Sequence, residues 1–236
     1  MASNDFPFNR EVSSRLLVLA CAVMERELLP FQNGRVDFKF LDYGLHLTPA
    51  NLTKALQREI DQAPEEGYHG IVLGYGLCSN GIVGLRARNQ PLVIPRVHDC
   101  ISLFLGSSDR YQEEATQHPG TYYLTPGWIE KGETPLSKYH SYARSYNEEI
   151  AGWVLHEEMK HYTRILLIDT GISPMSPYRE IARRNAEFLK ISFQERRGVS
   201  DFFQRLVTGS WGKDFLIVDK ENCIQQEMFW GLQSHR

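Results

Sequence analysis

Short apolar runs alternate with longer amphipathic stretches along this chain. RLLVLAC (15–21), DFKFLDY (37–43), GIVLGY (70–75), PLVIPRV (91–97), TYYLT (121–125), RILLIDT (164–170) and DFLIV (214–218) are rich in β-branched or aromatic residues and read as strands. Several look buried on both faces. Between them the spacing turns helical: AVMERELL, ended by Pro30, then TPANLTKALQREIDQ, with Thr48 as N-cap, Pro49 at the first helical position, and Leu52, Leu56 and Ile60 on one face. SNGIVGLRA, beginning near Ser79 or Asn80, SPYREIARRNAEFLK and SDFFQRLVTG continue the series. A long helical stretch from about 137 to 162 follows a Gly- and Pro-rich loop and interrupts the rhythm. The pattern predicts an α/β fold: a doubly wound, mainly parallel, Rossmann-like sheet with a long helical insertion at about 135–163. Residues 1–14 read as a polar lead-in and 15–236 as one domain.

Ligands of such sheets sit outside the carboxyl ends of the strands. There lies GYGLCSNG (74–81), three glycines around Cys78. Its spacing fits neither phosphate motif: Gly81 comes too late for G-x-G-x-x-G, and Ile82 and Val83 stand where a Walker A loop needs Lys and Ser/Thr. What remains is a turn in which Gly76, Ser79 and Asn80 present backbone N–H groups, with a helix N-terminus favouring the Cys78 thiolate. The next strand ends in HDC, bringing His98, Asp99 and Cys100 to the same edge, and the first strand ends in Cys21. Three thiols and an imidazole match a tetrahedral zinc shell or an iron site in ligand type. Asp99 is expected to orient His98 or to cap the helix CISLFLG. The bland alternative is a set of separate buried cysteines and a hydrogen-bonded histidine.

Further candidates surround this set. Glu25, one helical turn after Cys21, and Glu130 are candidate proton carriers, while Glu25 reads equally well as an exposed helix-start carboxylate. Trp128, with Tyr123 and Thr125, suits a pocket wall, and Asp169 a ligand hydroxyl or a turn cap. HEEMKH (156–161) is discarded as a zinc-peptidase motif, because histidines five apart point ~140° away from each other on a helix. Tyr146, Ile150, Trp153 and Val154 form a stripe expected to be core or subunit interface, so a homodimer is a candidate state. Cys223, in a polar context, is set aside.

Composition narrows the classes. A formal net charge of −3 and a pI near 6.2 leave no basic stripe for nucleic acid, and no window is apolar and long enough for a membrane span. Four cysteines in 236 residues do not make a disulfide framework, and the N-terminus lacks an apolar signal core, so the expectation is a cytoplasmic protein.

LACAVMERELL, GYGLCSNGIVGL, PLVIPRVHDCISLFLGS, YYLTPGW and GSWGKDFLIV together resemble the DUF1638 family, over about 15–219. The resemblance brings no activity. It implies only a context, with corrinoid proteins and methyltransferases of one-carbon metabolism as partners. Two functions from different classes follow. The first is a zinc-dependent enzyme acting on a small molecule by methyl or other one-carbon transfer, the metal held by Cys78, His98 and Cys100; if Cys21 joins as a fourth ligand, the open position disappears. The second is an accessory protein that binds a metal, an iron–sulfur cluster or a corrinoid without turnover. A structural module with inert thiols is the third.

Overall fold

Apolar residues run unbroken through several strands because both faces of those strands are covered. The computed structural model describes residues 15–171 and 174–229, so the proposed lead-in at 1–14 lies outside the described residues. The strands are β1 (Arg15–Cys21), β2 (Val36–Leu41), β3 (Tyr68–Gly74), β4 (Leu92–Pro95), β5 (Thr121–Leu124), β6 (Arg164–Asp169), β7 (Ser192–Arg197) and β8 (Phe215–Val218). The helices are α1 (Glu25–Leu28), α2 (Pro49–Gln62), α3 (Ile101–Leu105), α4 (Ser108–Gln117), α5 (Pro126–Lys131), α6 (Pro135–Ser145), α7 (Glu148–Met159), α8 (Ser176–Leu189) and α9 (Asp201–Thr208), with short 3-10 turns between some of them.

The architecture is mixed α/β and mainly parallel, but the strands divide into two sheets where one was expected. A five-stranded sheet has the order β2-β1-β3-β4-β8, and a three-stranded sheet the order β5-β6-β7. Every pairing is parallel except β4 with β8, where Leu92 to Pro95 face Val218 to Phe215. That antiparallel strand occupies the outer edge of β4, so the later parallel strands pair among themselves. The first core surrounds the large sheet, with Val18, Leu19, Val72 and Leu73 sealed from solvent on the strands and Leu52, Leu56 and Ile60 beneath α2. Burying each such side chain stabilises by about 1.5–3 kcal/mol.

The small sheet is two-faced. Leu124, Ile165 and Leu167 meet Tyr178, Ala182 and Ala186 of α8 in a second core. On the opposite face, Arg164 donates to Thr121 Oγ1 at 2.8 Å and pairs with the buried Glu114 of α4, which also pairs with Arg196. Its edge strand β7 reads SFQERR, mostly exposed, and gives no apolar run to find.

Three helical expectations need correction. SNGIVGLRA is a series of turns, because Cys78, Ser79 and Asn80 all take left-handed backbone angles (φ 45°, 54° and 67°) that a right-handed helix excludes. The long insertion is two helices, broken at Tyr146 and restarted where Asn147 Oδ1 accepts from the Ile150 N–H at 2.9 Å. In α7 the buried side chains are Ala151, Leu155 and Met159; Trp153, and Tyr146 at the end of α6, are each 67% exposed, so the core half of the expectation for this stripe fails. α4 was not anticipated; its sequence, SDRYQEEATQ, is too polar to show an apolar stripe. Among the described residues, no helix is long and apolar enough to cross a membrane.

Candidate functional site

In the order β2-β1-β3-β4, successive connections leave β1 in opposite directions, and a crevice opens at the carboxyl ends of β1 and β3. Cys21 is the last residue of β1 and Cys78 follows β3 by four. Beyond the strands, the chain after β3 stays paired with the chain after β4: Leu77 N–H donates to Val97 O at 2.9 Å and Cys78 N–H to His98 O at 3.0 Å. Gly76 permits this approach, since a Cβ there would stand 2.9 Å from three backbone atoms of Asp99. Cys78 and Cys100 are thereby drawn to one place.

The left-handed turn then fixes Cys78. Gly81 N–H closes onto Cys78 O at 2.9 Å, and Thr53 Oγ1 of α2 donates to Gly81 O at 2.8 Å. Left-handed geometry costs about 1–2 kcal/mol for each residue with a Cβ, and such strain collects at functional sites. On the other side, α5 docks against the 3-10 turn that follows Cys21. A Cβ at Gly127 would lie 1.8 Å from Val23 O, so only glycine lets the helix come this close. Thr125 Oγ1 caps α5 by accepting from the Trp128 N–H at 3.0 Å, and the helix carries Trp128 over the crevice.

The result is a cavity of about 280 Å³, with a mostly apolar surface. Cys21, Cys78 and Cys100 line it, with Ser79, Asp99 and Trp128. His46, Tyr75, Tyr122, Tyr123 and Tyr162 complete most of its wall. Trp128 Nε1–H donates to Glu133 O at 2.9 Å and the Tyr122 hydroxyl to the same oxygen at 3.3 Å, which holds both rings in place. Asp99 Oδ1 accepts from the Ile101 N–H at 2.8 Å, capping α3, and its carboxyl also accepts from Tyr111.

The thiols are not activated by this environment. Burial pushes the Cys21 thiol up to about 11 and the Cys78 thiol up to about 12, and raises Cys100 well above the ordinary thiol range. The Asp99 charge adds to the effect at Cys78, and Cys78 adds to it at Cys100. With no helix N-terminus behind Cys78, the expected thiolate stabilisation is missing, and the protein alone holds neutral thiols. Burial likewise raises the Asp99 carboxyl, and the Tyr111, Ile101 and Ser102 hydrogen bonds only partly offset it.

Other candidates lie elsewhere. His98 is half-buried, offers its backbone carbonyl to Cys78, and is not among the residues lining the cavity. Gly76 acts through the backbone, and Asn80 is exposed in the turn. Glu25 pairs with Lys131 at 3.0 Å. Glu130 pairs with Arg26 and accepts from the Tyr178 hydroxyl. Neither carboxylate lines the cavity. Asp169 Oδ1 accepts from the Gly171 N–H at 2.7 Å, capping the turn after β6. Cys223 bridges to Arg86 outside the cavity. As placed, no three His, Cys, Asp or Glu side chains among the described residues form a group able to hold a metal ion.

Tyr75, Tyr122, Tyr162 and His46 were missed. Tyr75 sits inside GYGLCSNG and Tyr122 beside Tyr123, so strand-end position alone would have pointed to both; His46 and Tyr162 come from segments that only the fold brings near.

A family model described as a protein of unknown function, DUF1638, matches residues 40–207. The chain belongs to DUF1638. The matched part of this DUF1638 chain contains Cys78, Asp99, Cys100 and the aromatic wall from Tyr122 to Tyr162, while Cys21 precedes it. No curated protein and no solved structure matches the chain.

Proposed function

We propose that this chain is a metal-dependent enzyme, with zinc on cysteine sulfur, that transfers a methyl or other one-carbon group to or from a small molecule. The observation that supports the reading is the arrival of three thiols, from three different strand ends, at one cavity on the carboxyl edge of a mainly parallel sheet. Thiols that burial keeps protonated are poor nucleophiles, but a soft divalent cation displaces their protons on binding. Cysteine needs only one side-chain rotation to bring its sulfur inward. Cys21, Cys78 and Cys100 would hold the ion with a fourth position left open, and zinc there would supply Lewis-acid polarisation of a substrate or activation of a bound nucleophile. Asp99, the carboxyl on the cavity wall, is the group we assign to proton transfer, in place of Glu25 and Glu130. A cytoplasmic site fits the reading, since free thiols persist in a reducing compartment.

The test is metal content by mass spectrometry on protein purified without oxygen. About one equivalent of zinc per chain is expected, lost in Cys21→Ser, Cys78→Ser and Cys100→Ser, with circular dichroism unchanged. His98→Ala should keep its metal, because that side chain does not line the cavity. A parent chain free of metal would end the reading. Several equivalents of iron would instead support the accessory role with an iron–sulfur cluster.

A further inference from the structure

The cavity wall holds more than sulfur. Five aromatic side chains, Tyr75, Tyr122, Tyr123, Trp128 and Tyr162, stand around it, together with the imidazole of His46. Among the described residues no Lys or Arg lines it, and Asp99 is its carboxyl. Outside the wall, Asp42 lies close enough to Cys21 and Tyr75 to act on both, and the nearby Lys138 is paired with Glu158. The wall itself therefore carries no fixed cation; Arg164 and Arg196 stand behind it, at Thr121 and Tyr123, and share Glu114. Aromatic faces carry negative charge, and a ring-lined box without fixed cations is the arrangement that recognises methylated onium groups, which need no hydrogen-bond donors to hold them.

A second observation concerns the other end of such a ligand. The hydroxyl of Tyr75, a residue of the cavity wall, is buried and has no hydrogen-bond partner among the described residues, and Tyr75 as a whole is 3% exposed. A buried hydroxyl left unpaired costs about 1–3 kcal/mol, which a bound acceptor recovers. This group asks for an oxygen atom on the ligand. At about 280 Å³, the cavity lies at the small end of ligand sites and admits a small molecule only.

We infer that the cavity binds a small methylated ammonium or sulfonium compound carrying an oxygen function, its cationic head among the rings and its oxygen at the Tyr75 hydroxyl. The inference rests on the reading of this cavity as the substrate site and names the substrate class. It does not depend on the metal: the rings and phenols are present whether or not the sulfurs hold zinc.

Calorimetric titration tests it, with choline, tetramethylammonium and the uncharged carbon isostere of choline as probes. Zinc-loaded and chelator-treated protein are titrated side by side, with zinc content measured on each. Choline should bind at least about tenfold more tightly than the isostere, the size of one desolvated cation–π contact. Trp128→Leu should remove about tenfold of that affinity and Trp128→Phe should restore most of it. Tyr75→Phe should weaken choline and leave tetramethylammonium unchanged, a difference that general misfolding does not produce. Equal binding of choline and its isostere, or affinity indifferent to Trp128→Leu, would overturn the inference. Choline binding with these dependences in a chain that never holds metal would leave the inference standing and remove the zinc reading. One equivalent of zinc without onium preference would do the reverse.

Discussion

The two sheets are built from the same parallel pairing, yet their carboxyl ends carry opposite chemistry. β1, β3 and β4 of the large sheet are buried on both faces and release groups whose protonated forms burial favours: Cys21, then Cys78, then Asp99 and Cys100. β6 and β7 of the small sheet are covered by apolar contacts on one face and an ion-pair layer on the other, and they release Asp169, Arg196 and Arg197. A strand end sealed from water keeps its titratable groups uncharged and available to a ligand. A strand end open to water spends its groups on ion pairs. Glu25 and Glu130, which the sequence offered as proton carriers, sit in charge networks on the short helices α1 and α5, while the sulfurs line a cavity.

The contrast can be broken first at its ionic side. Glu114→Ala leaves Arg164 buried without its carboxylate, and should cost about 3–5 kcal/mol of stability by denaturant titration. A loss below about 1 kcal/mol would mean that the small sheet does not rely on charge. On the apolar side, Leu19→Ala in the fully sealed β1 should cost roughly 2–5 kcal/mol. Phe193→Ala, on the exposed edge strand β7, should cost clearly less in the same assay.

A third experiment probes the seam between the regions. Glu27 of α1 is buried, with one oxygen accepting from Thr170 Oγ1 at 2.8 Å and the other without a partner among the described residues. Burial pushes its carboxyl up to about 7. Because the folded value lies above the unfolded one, its favourable contribution is complete at low pH and is lost as pH rises through about 7. Glu27→Gln should therefore stabilise the protein by at most about 3 kcal/mol at pH ~8 and by about 1 kcal/mol at pH ~5. A pH-independent difference would show that this carboxyl does not titrate as described. The smallest effect belongs to Glu25→Gln, which loses a part-exposed pair with Lys131 and should change stability by less than about 1 kcal/mol, with metal content unaltered.

These elements differ in how far they could be read beforehand. Seven of the strands, α2, α8 and α9 were visible because local spacing alone identifies a segment that must be buried. Thr48 and Pro49 marked the start of α2, although no hydrogen bond from the Thr48 side chain accompanies it. β7 and α4 escaped because their stabilisation comes from Arg and Glu partners distant in the chain, leaving no apolar period. The turn at Cys78 escaped for a different reason. Asn80 before Gly81 is a local turn mark, but nothing in Cys78 or Ser79 marks left-handed geometry, which is imposed by pairing with the chain around His98 and by Thr53 holding Gly81.

By itself, the sequence determined the α/β alternation, the placing of Cys21, Cys78 and Cys100 at strand ends, and the aromatic supply near Trp128. These follow from residue type and spacing within a few turns of chain. Only the tertiary structure decided that the strands form two sheets, that His98 stays off the cavity wall while Tyr75 and Asp99 join it, and that the thiols are neutral. Strand order depends on which edges are already paired, and protonation depends on how much water the packed chain leaves around each group. Both are sums over distant neighbours, which no local pattern records.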